Sequence, residues 1–187
     1  MDWSKLIKEF SEHGASPLTP HLGSLLEAAN NSDLPAGRLY FVADICIELR
    51  RHDDAAHVLE SIDRKIGLSD IGWNNLAHCY DELGRNEEAI SAYLRSLSLN
   101  PENLSSIRNL AIICLDDSEK LSWAQVWNDK QPDSVEGLVH YVTAIFNTGR
   151  HREALAVLRQ SKARCRGDFT NLVDLETEIQ QRIVDDT

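Results

Sequence analysis

Long apolar stretches are missing from this sequence of 187 residues. No run approaches the roughly 18 apolar residues that a membrane-spanning helix needs, and the first residues, MDWSKLIKEF, lack the apolar segment of a secretory signal. Positive charge is scarce as well: 19 Lys and Arg residues face 30 Asp and Glu residues, and the formal net charge is −11. Because binding to nucleic acid depends on neutralising phosphates, this charge argues against nucleic acid and anionic membranes as partners. We therefore expect a cytoplasmic protein that binds no nucleic acid and does not insert into membranes.

Sequence signatures of metal and catalytic sites are also missing. The four cysteines, Cys46, Cys79, Cys114 and Cys165, form no C-x-x-C pair and have no histidine at ligand spacing. There is no glycine-rich phosphate loop, no H-E-x-x-H sequence and no Ser/His/Asp set in a recognisable motif. Because a buried free cysteine behaves as a small apolar residue, Cys46 and Cys114 are predicted to lie in a core. The sequence thus predicts no enzyme activity, no cofactor and no metal.

Apolar and small residues recur with helical spacing in WNNLAHCYDELGRNEEAISAYLRSLSLNP, residues 73–101. The first half carries, at i, i+3, i+4 and i+7, Trp73, Leu76, Ala77 and Tyr80. Gly84 interrupts this helix, and Pro101 ends the second one because a proline disfavours a helical residue before it. The stretch therefore predicts two helices that form an antiparallel hairpin.

This pattern resembles the tetratricopeptide repeat (TPR), whose signature is W-x2-L-G-x2-Y followed by a small residue, an aromatic residue, another small residue and a proline. Counting from Asp70, the residues at signature positions are Trp73, Leu76, Ala77, Tyr80, Ala89, Tyr93, Ser96 and Pro101. Short side chains at these points allow two helices to approach closely. The resemblance implies an all-α fold, a right-handed α-solenoid of stacked antiparallel helix pairs.

The same frame of signature positions, shifted by one repeat length, recurs before and after this repeat. One repeat earlier it selects residues that are all apolar or small: Leu39, Val42, Ala43, Cys46, Ala55, Leu59 and Ile62. One repeat later the first helix fits, but Trp123 stands where a small residue is expected, Trp127 fills the aromatic position, and Pro132 comes three residues early. This repeat is predicted to be shortened. Packing between helices is the favoured role of the two tryptophans, and an exposed binding stripe is the alternative.

These periodicities predict a single TPR-like domain over residues 1–187, with about eleven helices. Its parts are a degenerate N-terminal repeat, 1–35; four repeats, 36–69, 70–103, 104–134 and 135–168; and a C-terminal capping helix, 169–187.

In TPR proteins the concave groove is lined mainly by fixed positions of each first helix, so the resemblance implies partner-binding residues here. The first two clear repeats contribute an acidic, hydrogen-bonding strip: Tyr40, Asp44, Glu48, Asn74, Asn75, His78 and Asp81. The next two contribute Arg108, Asn109, Ile112, Leu115, Val139, His140, Thr143 and Phe146, whose apolar members are predicted to form a trough.

An acidic strip beside an apolar trough suits an extended or helical segment that carries Lys or Arg next to large apolar side chains. The alternative for the acids is that they only keep the protein in solution. We therefore predict a non-enzymatic protein-protein interaction module, an adaptor or chaperone. The alternative is a structural or self-associating subunit, such as a homo-oligomer, whose groove is filled by another copy or by its own C-terminal helix.

Overall fold

The computed structural model describes residues 1–30, 34–165 and 170–185, and these residues are predominantly helical. The α-helices are α1 (Trp3–His13), α2 (Leu22–Asn30), α3 (Ala36–Glu48), α4 (His52–Ile66), α5 (Asp70–Glu82), α6 (Asn86–Leu99), α7 (Leu104–Ile113), α8 (Asp117–Lys130), α9 (Val135–Asn147), α10 (His151–Lys162) and α11 (Thr170–Asp185). A 3-10 helix, Ser16–His21, precedes α2. Over the described residues there is no strand, which confirms the all-α prediction and its expected number of helices.

The chain divides into two compact units, residues 1–101 and 102–187. Unit 1 contains α1 to α6, and unit 2 contains α7 to α11. Within each unit, helices that follow one another through a short turn pack together as pairs, among them α3 with α4, α5 with α6, and α9 with α10. That the repeats form one domain stays a prediction.

The helix pair α5 and α6 in unit 1 begins where the sequence supplies a cap. The Ser69 hydroxyl accepts a hydrogen bond from the Gly72 N–H at 3.1 Å, which satisfies one of the free N–H groups at the start of α5. Trp73 packs against the core of unit 1, and the guanidinium of Arg95 lies 5.2 Å from its ring centroid. The first-helix tryptophan thus points between helices, as the repeat pattern requires.

Three of the turns that follow a first helix contain a residue in the left-handed backbone region. Gly84 and Gly149 have φ of 74° and 79°, and both come two residues after the end of a helix of 13 residues. Arg50 stands at the equivalent point after α3, with φ of 57°. Glycine adopts this conformation without steric cost, whereas a residue with a Cβ does not.

The shortened repeat of unit 2 loses its residues at the end of the first helix. Helix α7 has 10 residues instead of 13, and α8 begins at Asp117, capped by the Asp116 side chain. Trp127 is therefore the eleventh residue of α8, as Ser96 is of α6, and occupies the position of a small residue rather than the aromatic position. It is 1% exposed, and a Cβ at Gly137 on α9 would lie 3.4 Å from its Nε1. These contacts confirm the packing interpretation of Trp127, while Trp123 is half-buried.

Helix α11 covers the apolar side of the last helix pair. Leu172, Leu175 and Ile179 are buried in the core of unit 2. The Glu176 carboxylate accepts hydrogen bonds from Arg159 at 2.9 Å and from Lys162 at 3.4 Å, both on α10. The predicted capping helix included residues 169, 186 and 187, which lie outside the described residues.

All four cysteines are free and buried. Burial raises the pKa of the Cys46 and Cys79 thiols to about 12, so these groups stay protonated and unreactive. The prediction that Cys46 and Cys114 pack in a core is confirmed.

Candidate functional site

Two carboxylates of the predicted strip in unit 1, Asp44 on α3 and Asp81 on α5, are not paired with another side chain. Neither makes a hydrogen bond or an ion pair with any other described residue. Burial nonetheless raises the pKa of both carboxyl groups, and for Asp81 the neighbouring Glu82 raises it further while His78 lowers it. Asp44 is solvent-exposed and Asp81 is half-buried, so a ligand can reach both carboxylates.

The polar residues of α5 share one face with Asp81. Asn74, His78 and Asp81 follow one another at i, i+4 and i+7, a spacing that places side chains on one side of a helix. All three are half-buried, as is Asn75. The His78 ring meets the ring of His52 edge to face, with centroids 5.6 Å apart and planes at 85°.

Two members of the predicted strip are engaged within unit 1. The Tyr40 hydroxyl accepts a hydrogen bond from the Ser69 N–H at 3.4 Å, at the start of α5. The Glu48 carboxylate accepts one from the Ala15 N–H at 2.9 Å, which ties α3 to the turn after α1. These two side chains hold helices together, so they offer less to a partner than Asp44 and Asp81 do.

Arg50 in the turn after α3, His52 at the start of α4 and Glu82 at the end of α5 form a cluster that the repeat positions do not select as a group. Arg50 Nη2 lies 2.7 Å from Glu82 Oε2, and His52 Nε2 lies 3.6 Å from the same oxygen. The signal that could have found it is Arg50 itself, which replaces the glycine present in the equivalent turns at 84 and 149.

The first helices of unit 2 lie side by side. Arg108 on α7 and Glu136 on α9 form an exposed ion pair with Nη1 and Oε2 3.8 Å apart. His140, one turn after Glu136, is half-buried and packs on the Trp127 ring at 5.2 Å between centroids. Burial lowers the pKa of His140, with Glu136 acting in the opposite direction. Among the predicted residues, Asn109 and Thr143 are also half-buried.

The apolar trough is only partly built as predicted. Ile112 is 41% exposed near the end of α7, while Val139 and Phe146 on α9 are partly buried against the core of unit 2. Leu115 is 77% exposed, but its predicted place on a first helix is wrong. Helix α7 ends at Ile113 because the backbone of Cys114 turns to φ −53° and ψ 133°, so Leu115 lies in the turn before α8.

A cleft in unit 2 lies between the turn after α9 and helix α11. It encloses about 840 Å³, and its wall includes Phe146, His151, Gln181 and Arg182. The rings of Phe146 and His151 are 4.8 Å apart. Because α11 contacts both α9 and α10, the cleft extends the surface that begins on α9.

Two other kinds of site are absent from residues 1–30, 34–165 and 170–185. No group of three or more His, Cys, Asp or Glu side chains in these ranges is arranged to hold a metal ion. No helix in the same ranges combines the length and apolar character that crossing a bilayer demands.

The family model of the tetratricopeptide repeat matches residues 71–103, the helix pair α5 and α6. This segment is a tetratricopeptide repeat. No curated protein matches the sequence.

Several solved structures share the fold of this chain at low sequence identity. The crystal structure of MamA has a TM-score of 0.72 and 15% identity, and the match covers 88% of this chain and 95% of MamA. YrrB, described as a TPR protein with an unusual peptide-binding site, has a TM-score of 0.70 and 15% identity over 95% of this chain and 98% of its own. A chain of the Naa15/Naa10 complex bound to HypK-THB has a TM-score of 0.58 and 16% identity, over 88% of this chain and 25% of that one. At such identities, the likeness concerns the fold.

Proposed function

We propose that this chain is a non-enzymatic protein-interaction module of the adaptor or chaperone type. It binds an extended or helical segment of a partner protein along the faces of its first helices. The segment carries Lys or Arg beside large apolar side chains. Buried, protonated thiols suit a reducing compartment, so we place this activity in the cytoplasm.

The observation that carries this proposal is the state of Asp44 and Asp81. Burial raises the pKa of both carboxyl groups, and neither forms an ion pair with a Lys or Arg among the described residues. A carboxylate in this position gains most from a positive group that a ligand brings, because shielding from water strengthens the attraction.

Apolar side chains of unit 2 are the second feature that supports a binding role. Ile112 remains exposed, and Phe146 presents part of its ring at the wall of the unit 2 cleft. Exposed apolar groups of this kind favour contact with a partner. YrrB, a protein of the same fold, is described by its peptide-binding site, which supports a binding role for such a surface.

Selection from a displayed library of random 12-residue peptides tests the proposal. We expect enrichment of sequences that combine Lys or Arg with large apolar residues. The double variant Asp44→Asn/Asp81→Asn should bind the selected peptides about tenfold more weakly, since two ion pairs of about 0.7 kcal/mol each amount to about 1.4 kcal/mol. The same peptides should lose affinity as salt rises, because salt screens these charges.

A matched control variant distinguishes a specific contact with the acidic strip from an effect of net charge alone. Asp53→Asn/Glu87→Gln removes the same two charges from the second helices α4 and α6. Its binding should stay within about twofold of the wild type. Equal losses in both double variants, or selected peptides without basic residues, would contradict the proposal.

A self-associating subunit is the second candidate, and exposed apolar residues of unit 1 favour it. Ile66, Ile71 and Leu99 are 65%, 63% and 58% exposed. A hydrogen bond of 2.8 Å between Asn100 Nδ2 and Asp70 Oδ2 brings the end of α6 to the start of α5, so Leu99 and Ile71 share one edge. Light scattering over a range of concentrations distinguishes the two candidate functions. An oligomer that survives dilution and is broken by Ile71→Lys supports the self-associating subunit.

A further inference from the structure

The turn after α3 carries an arginine under backbone strain. Arg50 has φ of 57°, in the region where the equivalent turns have Gly84 and Gly149. A residue with a Cβ is disfavoured there, so the backbone alone does not explain an arginine at this point.

The Arg50 side chain has one partner among the described residues. Its Nη2 lies 2.7 Å from Glu82 Oε2 on α5, while 76% of the side chain remains exposed to solvent. An ion pair with so exposed a guanidinium is weak and exchanges readily with water or with a competing cation.

Behind this ion pair lies an imidazole without a hydrogen-bond partner. His52 is only 9% exposed, and neither of its ring nitrogens makes a hydrogen bond. Its Nε2 faces Glu82 Oε2 at 3.6 Å, which is too long for a hydrogen bond. Leaving a buried polar group unpartnered is unfavourable, so a donor that reaches both His52 Nε2 and the Glu82 carboxylate would relieve it.

Charge and geometry define what such a donor must be. Glu82 and its neighbour Asp81 are acidic residues, and the His78 ring lies beside His52. Burial lowers the pKa of His52, with His78 and Arg50 acting in the same direction and Glu82 opposing them, so the ring is neutral near pH 7 and can accept a hydrogen bond. An ammonium or guanidinium group has several N–H donors and the charge that the carboxylates attract.

We propose that Glu82, His52 and His78 form a subsite for one lysine or arginine side chain of a bound segment, and that Arg50 is its intramolecular occupant. The incoming cation displaces the Arg50 guanidinium from Glu82, and Arg50 moves into solvent. This subsite rests on the proposed function and adds to it a specific contact at the end of α5, separate from Asp44. Arg50 lowers the apparent affinity by the fraction of time that it occupies the carboxylate.

The test uses N-acetyl-arginine amide as the probe, with N-acetyl-norleucine amide as the uncharged control. Binding is followed through the NMR signals of the His52 and His78 rings in the full chain. Arg50→Gln should bind the probe about fivefold more tightly than the wild type, as expected if Arg50 occupies Glu82 about four-fifths of the time. Arg50→Gly, with the residue that the equivalent turns contain, should behave in the same way. Glu82→Gln should abolish the response of both rings.

Arg51→Gln is the matched control, because Arg51 pairs with Asp54 at 2.6 Å and its removal changes the net charge equally one residue away. Its affinity for the probe should match the wild type within about twofold. Equal tightening in the Arg50 and Arg51 variants would overturn the proposal, since it would reflect only general charge. So would an unchanged response in Glu82→Gln.

Different results would contradict the groove proposal and the subsite proposal. If library peptides do not depend on Asp44 and Asp81 but the probe still shifts His52 in a Glu82-dependent manner, the groove proposal fails and the subsite stands. If the peptides bind as expected and Arg50→Gln has no effect on the probe, only the subsite fails.

Discussion

Replacing Gly84 by alanine tests whether the turns between paired helices are held by backbone conformation alone. Gly84 has φ of 74°, and a Cβ built on it would meet no atom within 4 Å. The change therefore creates no clash, and its whole effect comes from placing an alanine in the left-handed region. That placement costs about 1–2 kcal/mol, and the lower freedom of alanine in the unfolded chain returns about 0.4–1 kcal/mol. The free energy of unfolding should fall by about 1 kcal/mol.

The matched control is Gly37→Ala, which adds the same methyl group to a helical glycine of α3 that also has open space around it. Helical alanine is favoured over glycine by about 0.5–1 kcal/mol, so this variant should gain stability. Urea unfolding followed by far-ultraviolet circular dichroism measures both changes, and the melting temperature of Gly84→Ala should fall by about 2–4 °C. A Gly84→Ala protein as stable as the wild type would refute the role assigned to the turn.

Two further predictions concern buried side chains. Trp127→Ala should lower the free energy of unfolding by about 3–5 kcal/mol because the ring is almost fully buried, whereas Trp123→Ala, at a half-buried position, should cost much less; similar losses in urea unfolding would contradict this packing. Stability should also fall as the pH drops below 6.5, the ordinary histidine pKa, because burial lowers the pKa of His52 and the unfolded chain then binds the proton more readily. Burial lowers the pKa of His140 in the same way, so the double variant His52→Gln/His140→Gln should flatten this dependence and the exposed His57→Gln should not, as urea titrations at several pH values would measure; a steep dependence that persists in the double variant would contradict the assignment.

The helix pairs could be predicted from the sequence because their information is local. Apolar and small residues at helical spacing mark the buried face, and Ala77, Ala89, Tyr93 and Ser96 are all buried in the structure. Gly84 marks the turn, since only glycine takes that conformation without strain. These features depend on residues a few positions apart, so the periodicity of one chain suffices to find them.

The place of the deletion in the shortened repeat could not be predicted in this way. Counting residues shows that three are missing between Asn103 and Ser134 but leaves open which helix loses them. Packing decided it: α7 ends early, and Trp127 then lies opposite Gly137, where the absent side chain leaves room for the ring. Leu115 was misplaced for the same reason, because its predicted position assumed a first helix of full length.

By itself, the sequence determined that this protein is a set of helix pairs, where the full-length repeats turn, and which face of each helix in those repeats is buried. The tertiary structure decided what each exposed side chain meets: Glu48 reaches Ala15 across 33 positions, and Arg50 reaches Glu82 across 32. Helical periodicity reports which side of a helix a residue occupies, whereas the partner of a side chain depends on how distant segments of the chain are brought together. Asp44, Asp81 and Glu48 are all acidic residues on first-helix faces, so the sequence does not distinguish them. In the structure, only Glu48 of these three accepts a hydrogen bond within unit 1.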